Sequence, residues 1–396
     1  MDFASALSRH PVSSQALGEV VGSVLEQVGE RPDLVVVTVT RPHAGALEDI
    51  VGAVAAVLHP LGLIGCAAES VVGQGSEAEE LPAISLWAGR VGPLVPIALS
   101  AARLVDGSWS FDGLPGPLGF APCALLVLAD PFTFPMAEFI EFLASDRPGL
   151  PVIGGHASGA SGPGGTRLAL GDRVLGTGAV GVLLGPATEV VPVVSQGCRA
   201  FGRLLTVTRA QRNLVLEIAG RPAMECLVDE IAEHLGRADV AGIERNGLLL
   251  GRCVDTRVLD PGPADLLFRP LVGVERATGA LAVAEHIPLG SVVRFAVRDA
   301  STAGSDLAAS LAGHRADAAL LFTGNGRGTR LFGIADHDAA ALDRALGPVP
   351  LGGMFASGEF GPVGGTNFVH SAAASMALFR VRAPGDVTST APAHGR

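Results

Sequence analysis

The sequence predicts an α/β protein in which repeated β-α-β-β units form two mixed-sheet domains with helices packed on the sheets. Apolar, β-branched runs alternate with stretches whose apolar residues have helical spacing. A glycine-bearing segment follows the helix in each of three units. The separations from Leu34 to Gly65, from Leu125 to Gly154 and from Leu320 to Gly352 are 31, 29 and 32 residues. Three near-equal periods indicate internal duplication.

The first unit shows the pattern most clearly. Its opening run PDLVVVTVT is a strand pattern, and the following stretch has apolar residues at offsets 0, 3, 4, 7 and 11. These residues are Leu47, Ile50, Val51, Val54 and Leu58. LGLIGCAAES and AISLWAG then supply two further strands.

The same order returns twice. The second unit has the strand CALLVLADPF, a helix with offsets 0, 3, 4 and 7 from Met136, and the strands LPVIGGHASG and TGAVGVLLG. The third has DAALLFTGNG, a helix with Leu342 and Leu346, then VPLGGMFASGEFGP and SAAASMALFRV. We therefore predict a first domain over 1–200 with two units, a second over 201–382 with the third unit, a hairpin and a helical insert, and a disordered tail over 383–396.

Composition excludes several function classes. The 396 residues carry a formal net charge of −11, and no lysine is present. A dispersed acidic balance argues against nucleic acid as a partner, and a P-loop cannot exist without its lysine. The apolar stretch 174–194 is interrupted by glycine and proline, so we expect buried strands and no membrane span.

Cysteine usage and the N-terminus favour a cytoplasmic protein. The five cysteines are scattered, with no spacing typical of a disulfide framework or a structural zinc site, so we predict no metal centre. The first residues, MDFASALSRHPVSS, lack the features of a secretory signal.

The glycine-rich strand ends are the candidate ligand site. Ligands of α/β sheets bind outside the carboxyl ends of strands, and glycines let backbone N–H groups approach an anion. Glu69 and Glu359 each follow such a run. N–H donors beside a carboxylate suit a zwitterion, so the sequence predicts a zwitterionic ligand.

These residues carry a resemblance to the FIST family. The features are FASALS, DLVVVTVT, LIGCAAESVVG with acids after it, VIGGHASG, and GMFASGEFGP followed by Asn367 and His370. Their order covers about residues 1–382. The resemblance implies an intracellular sensory module for small, amino-acid-like ligands that works in signal transduction. The implied ligand-binding residues are Gly65, Cys66, Glu69, Gly154, Gly155, His156, Ser158, Gly353, Phe355, Ser357, Gly358, Glu359, Asn367 and His370.

The sequence departs from the family pattern in three respects. Ser357 stands where the resemblance implies a tyrosine, and SAAAS follows His370 in place of a polar Asn-Thr pair. No output domain is evident, so we expect the protein to act on a separate signalling partner. The predicted function is non-enzymatic binding that requires no cofactor.

Other functions remain open at this stage. Some FIST proteins are haem sensors of nitric oxide, which implies His156 or His370 as an axial ligand. An enzyme would use Cys66 or Ser158 as its nucleophile, and an adaptor would need an exposed apolar patch. The GNGRG segment does not predict a dinucleotide site, because Thr329 to Ile334 reads as a strand or turn instead of the opening of a helix.

Overall fold

The computed structural model describes residues 1–236, 247–255, 257, 258 and 261–382. The α/β prediction with mixed sheets is confirmed, and the predicted tail at 383–396 lies outside these residues. The described chain has seven α-helices: α1 (Ser13–Val28), α2 (Leu47–Leu58), α3 (Met136–Asp146), α4 (Ala223–His234), α5 (Ala300–Leu311), α6 (Gly328–Phe332) and α7 (His337–Leu346).

Three sheets contain the predicted units. The first has the order β1 (Phe3–Ser8), β6 (Ile84–Gly89), β2 (Leu34–Thr40), β3 (Gly62–Ala68), β11 (Leu168–Leu170), β12 (Arg173–Leu175). The second has the order β25 (Thr366–His370), β24 (Glu359–Val363), β10 (Val152–His156), β9 (Ala124–Ala129), β13 (Ala179–Leu184), β7 (Leu94–Arg103), β8 (Trp109–Asp112). The third has the order β14 (Thr188–Ser195), β26 (Ala374–Val381), β22 (Ala318–Gly324), β23 (Leu351–Ala356), β4 (Val71–Gly73), β5 (Ser76–Ala78).

The centre of each sheet is the same β-α-β-β unit. The pairs β2 and β3, β9 and β10, and β22 and β23 are parallel, and a helix connects the strands of each pair. The last strand of each unit, β6, β13 or β26, runs antiparallel beside the first. The crossover helices α2, α3 and α7 therefore occupy equivalent places in the three units.

A hairpin from each unit completes the sheet of another unit. Hairpin β4–β5 of the first unit pairs with β23 of the third, β11–β12 of the second pairs with β3 of the first, and β24–β25 of the third pairs with β10 of the second. This cyclic exchange gives the three units a pseudo-threefold arrangement. The third unit thus shares sheets with the first two, although the sequence placed it with the second domain.

Residues between the second and third units form a separate ring of six antiparallel strands. The order is β15 (Arg199–Gln211), β21 (Val292–Val297), β18 (Leu248–Cys253), β19 (Leu266–Glu275), β20 (Ala280–Val283) and β16 (Leu214–Ile218), and β16 closes the ring on β15. The short strand β17 (Arg221–Pro222) extends β16. Two linkers, 196–198 and 298–299, join the ring to the three-sheet body.

The three sheets enclose an apolar core between their inner faces. Phe3, Trp87 and Phe379 pack together there, with ring centroids 4.9 to 6.0 Å apart. Helices α1 and α2 cover the outer face of the first sheet, α3 that of the second, and α5 and α7 that of the third. Helices α2 and α3 bury the apolar stripes that their spacing predicted.

Two local predictions were wrong. The equivalent glycine of the third unit is Gly353, which lies opposite Leu321 with φ +142°, whereas the predicted Gly352 faces Trp87. Residues predicted as a strand or turn after GNGRG instead form the short helix α6. The Glu79 carboxylate, from the distant hairpin region of the first unit, accepts the Thr329 N–H at 3.0 Å and stabilises the start of this helix.

Candidate functional site

The predicted glycine-rich strand ends of the three units meet around the pseudo-threefold axis. Equivalent backbone bonds join them in a cycle. Ala67 N–H donates to the Arg167 carbonyl at 3.0 Å, His156 N–H to the Gly358 carbonyl at 2.8 Å, and Phe355 N–H to the Ser70 carbonyl at 2.9 Å. The three glycine-rich segments that the sequence singled out therefore lie together where the units meet.

Protein atoms fill the space beside the central glycines. A Cβ at Gly65, Gly154 or Gly353 would lie 2.2, 1.8 or 1.9 Å from the carbonyl oxygen of the adjacent parallel strand. At Gly155 it would lie 2.6 Å from the Ala356 Cβ. These glycines permit the close approach of backbone to backbone, which accounts for their positions without a ligand.

The polar side chains near the axis join one unit to another. The Ser158 hydroxyl accepts the Glu69 N–H at 2.9 Å and donates to the Phe355 carbonyl at 2.6 Å. The Ser357 hydroxyl donates to the Ala157 carbonyl at 3.3 Å. The Glu69 carboxylate forms an ion pair with Arg330 and lies 3.7 Å from Arg41. Glu69, Ser158 and Ser357 therefore stabilise the contact between the units.

Cys66 lies deep in the core between the sheets. Its Sγ atom lies 3.1 Å from the Sδ atom of Met354, and burial raises the pKa of the thiol to about 12. Nucleophilic cysteines depend on the thiolate form. The surroundings of Cys66 thus favour a packing role over nucleophilic chemistry.

Glu359 lies in β24 between two other predicted residues. Gly155 of β10 and His370 of β25 are its neighbours across the sheet. Its carboxylate is buried and accepts the Ala373 N–H at 2.8 Å. Burial raises the pKa of Glu359 to about 8, although that hydrogen bond and the Arg327 and Arg298 charges act in the opposite direction.

The raised pKa values of two buried carboxyls predict how the stability of the protein changes with pH. Burial and the Asp338 charge also raise the pKa of Glu77 to about 8. Between pH 4.5 and 8, both carboxyls are protonated in the folded protein and ionised in the unfolded chain, where their pKa is 4.5. Their contribution is fully present below pH 4.5 and is lost as the pH rises through 8. Between pH 6.5 and 8 we expect the free energy of unfolding to fall, by up to about 1.4 kcal/mol per pH unit for each carboxyl.

Urea unfolding at a series of pH values measures this slope. The buried His156 and His370 do not add to it above pH 6.5, because burial lowers their pKa values from 6.5 to about 4. Glu359→Gln should remove about half of the decline. Glu138→Gln, on the exposed face of α3, should keep the wild-type slope. A Glu359→Gln slope equal to that of the wild type would contradict the assignment.

A second part of the predicted site lies away from the axis, on strand β25. The Asn367 side chain accepts the Val152 N–H at 2.9 Å and donates to the Leu150 carbonyl at 2.8 Å. The Nε2 atom of His370 lies 3.0 Å from the Gly361 carbonyl, to which only a protonated nitrogen can donate. Asn367 thus holds β25 against the second unit, and Nδ1 of neutral His370 is left as an acceptor.

Asn367 and His370 line a cleft of about 780 Å³ between the three-sheet body and the ring. Its volume lies within the usual range for small-ligand sites, and its walls are mainly apolar. Helix α3 forms one wall, β25 forms the floor, and β18, β19 and the loop after β20 form the opposite wall. The apolar lining consists of Ala137, Ile140, Ala144, Pro270, Ala284, Pro288, Phe368 and Val369.

Opposite charges stand on the two walls of the cleft. On the ring wall, Arg252 Nη2 donates to the Glu285 carboxylate at 3.0 Å, and Arg269 Nε donates to its other oxygen. Two guanidinium groups and one carboxylate leave one positive charge in excess. On the helix wall, Glu141 supplies a negative charge. An apolar cleft with a positive and a negative wall suits a small molecule that carries both charges.

Another depression of about 780 Å³ lies in the third sheet, beside the start of β22 and the end of β26. Gly313, Arg315, Asp317, Gly347 and Arg380 contribute to its lining, which is mainly polar. It contains none of the predicted ligand-binding residues. The cleft beside β25 is therefore the stronger candidate.

Comparison with known proteins assigns the family. A family model described as the FIST N domain matches residues 33–221, and one described as the FIST C domain matches residues 214–362. The chain belongs to the FIST family. An uncharacterized protein of Mycobacterium bovis is 40% identical over 382 residues, which cover 93% of this chain and 96% of the relative. An uncharacterized protein of Mycobacterium tuberculosis is 39% identical over 393 residues, which cover 96% and 100%.

FIST domains are sensory-type modules. The described part of this FIST protein has no helix with the length and hydropathy needed to cross a membrane. Within the same residues, no cluster of three or more histidine, cysteine or acidic side chains could hold a metal ion. The boundary between the two matched domains, near 214–221, falls within the ring of strands.

Haem binding through His156 or His370 stays a prediction, and the two rings lie in different surroundings in this FIST protein. His370 uses Nε2 to donate to the Gly361 carbonyl. The His156 ring packs edge-on against Phe360, with centroids 4.7 Å apart, and its Nδ1 lies 2.8 Å from the position of a Cβ on Gly358. Soret absorbance of haem-supplied protein remains the direct test.

Sequence reasoning missed the charged residues of the cleft. Arg252, Arg269 and Glu285 come from the ring, and Glu141 comes from the outer face of α3. One signal was present, because an arginine interrupts each of the apolar strand runs LLLGRC and LLFRPL. A charge within a strand that is otherwise apolar predicts a partner or a site. Nothing in the sequence placed these strands opposite α3.

Proposed function

We propose that this FIST protein is a non-enzymatic sensory module that binds an amino-acid-like metabolite in the cleft between α3, β25 and the ring. The ligand carboxylate faces Arg252 and Arg269, its ammonium group faces Glu141, and its side chain lies against the apolar walls. The bound protein then acts on a separate signalling partner in the cytoplasm. The observation that carries the proposal is the opposition of charges across an apolar cleft of about 780 Å³.

The position of the cleft supports a sensory role. A ligand there contacts the three-sheet body through α3 and β25 and the ring through β18 and β19. The two bodies are joined by two short linkers, and Arg298 on one of them donates to the Gln196 carbonyl on the other at 2.8 Å. Binding energy gained on both walls favours one relative position of the two bodies, which a partner protein can recognise.

Isothermal titration calorimetry with the twenty standard amino acids tests the binding. At least one should bind, and a ligand at a hundredfold excess over its Kd should raise the free energy of unfolding by about 2.7 kcal/mol. Folded protein that binds none of them would contradict the proposal.

The Glu141→Gln variant tests the position of the ammonium group. We expect it to weaken amino-acid binding about five- to tenfold, because an opposite charge is lost. Glu138→Gln is the matched control, since Glu138 is exposed on the same helix and does not line the cleft. Equal affinities of the two variants would remove Glu141 from the site.

A further inference from the structure

On the ring wall of the cleft, two arginine side chains share a single carboxylate. Glu285 is the only carboxylate paired with Arg252 and Arg269 among the described residues, and each of its oxygens takes one guanidinium. The side chains of Arg252, Arg269 and Glu285 are 19%, 15% and 25% exposed. All three are therefore mostly withdrawn from water while they face the cleft.

The arginines retain donors that Glu285 does not use. Each guanidinium has five N–H groups, and Glu285 engages one nitrogen on each. The Nε atom of Arg252 is buried and has no hydrogen-bond partner in the described part of the chain. Two guanidinium groups that share one carboxylate thus form a site with capacity for a better-placed or a second carboxylate.

Glu285 itself lies on a connection instead of a strand. It belongs to the loop between β20 and β21, which is anchored by the buried Ile287 and by the Ala284 N–H, a donor to the Pro270 carbonyl at 3.0 Å. The two arginines, in contrast, lie within strands β18 and β19 of the ring. The acceptor is therefore held less firmly by secondary structure than the donors.

We propose that Glu285 is an internal substitute for the ligand carboxylate, which occupies Arg252 and Arg269 in the ligand-free protein and competes with the ligand for them. This inference rests on the proposed function, and it specifies the ligand that the cleft recognises as a monocarboxylate with an apolar body. Binding replaces the Glu285 contacts and releases the loop after β20. The conformation of this loop then differs between the ligand-free and the ligand-bound protein, and this difference is how the ring of strands responds to the ligand.

The test is calorimetry with 4-methylpentanoate and 3-phenylpropanoate, the deaminated forms of leucine and phenylalanine. Glu285→Gln keeps the shape of the side chain and removes its charge, so at least one probe should bind this variant about tenfold more tightly than the wild type. Arg269→Met in the Glu285→Gln background should abolish the gain. The matched control is Glu217→Gln, which breaks a 2.8 Å ion pair with Arg209 on the same ring but away from the cleft.

The outcomes separate this inference from the proposed function. If wild-type protein binds an amino acid and Glu285→Gln binds the probes with equal or lower affinity, the inference is overturned and the proposed function stands. If neither protein binds an amino acid or a probe, both are overturned. If Glu285→Gln unfolds, Glu285→Ala replaces it, and circular dichroism confirms the fold of whichever variant is titrated.

Discussion

Asp338→Ala is expected to lower the free energy of unfolding by about 3–5 kcal/mol, because it leaves a buried arginine without its counter-charge. Arg327 and Asp338 are fully buried, and Asp338 accepts from Arg327 Nε at 2.7 Å and from Nη2 at 2.9 Å. Burial alone would raise the pKa of Asp338, but the Arg327 charge and hydrogen bonds outweigh it and hold the pKa well below its usual range. Urea unfolding at pH 7 measures the loss.

Two further variants show that the loss comes from an uncompensated charge. Asp343→Asn changes an exposed acid on the same helix and should alter the stability by less than about 0.5 kcal/mol. The double variant Arg327→Met, Asp338→Leu should recover most of the loss, since an apolar pair of similar volume avoids the desolvation cost. A double variant as unstable as Asp338→Ala would indicate that packing at this position, and not charge, sets the stability.

Gly353→Ala is expected to destabilise the protein by more than about 3 kcal/mol. Gly353 has φ +142°, and a Cβ there would lie 1.9 Å from the carbonyl oxygen of Leu321. The added methyl group must therefore separate two parallel strands at the centre of the third sheet. Gly154→Ala should behave alike, because Gly154 has φ +149° and the same contact with Val127.

Gly22→Ala is the control for this prediction. Gly22 lies in helix α1 with no atom near its Cβ position, so alanine should stabilise the protein by about 0.5–1 kcal/mol. Thermal unfolding of the three variants gives the comparison. If Gly353→Ala unfolds at the same temperature as the wild type, the close approach of the strands is not a requirement of the fold.

The repeated units could be predicted because their signals are local. The offsets from Leu47 to Leu58 specify the buried stripe of α2, and the run from Leu34 to Thr40 specifies a strand buried along its length. The start of α5 is encoded locally as well, since Asp299 and Thr302 form a capping box there.

The exchange of hairpins could not be predicted, because it depends on contacts between distant segments. Glu77 illustrates the difficulty, since its Oε1 atom accepts the N–H groups of Asp338 and Ala339, both at 2.9 Å, at the start of a helix in another unit. The glycines were recognised as special, yet the sequence does not distinguish a glycine that admits a ligand from one that admits a neighbouring strand. The site was therefore centred on the axis, although the cleft lies beside β25.

The most direct test of the account is an electron-density map of the protein crystallised with the amino acid that binds most tightly in calorimetry. We predict density in the cleft beside β25, with a carboxylate at Arg252 and Arg269 and the side chain against Phe368. Density at Gly154 and Gly353 on the pseudo-threefold axis, or on a surface outside the cleft, would contradict the account.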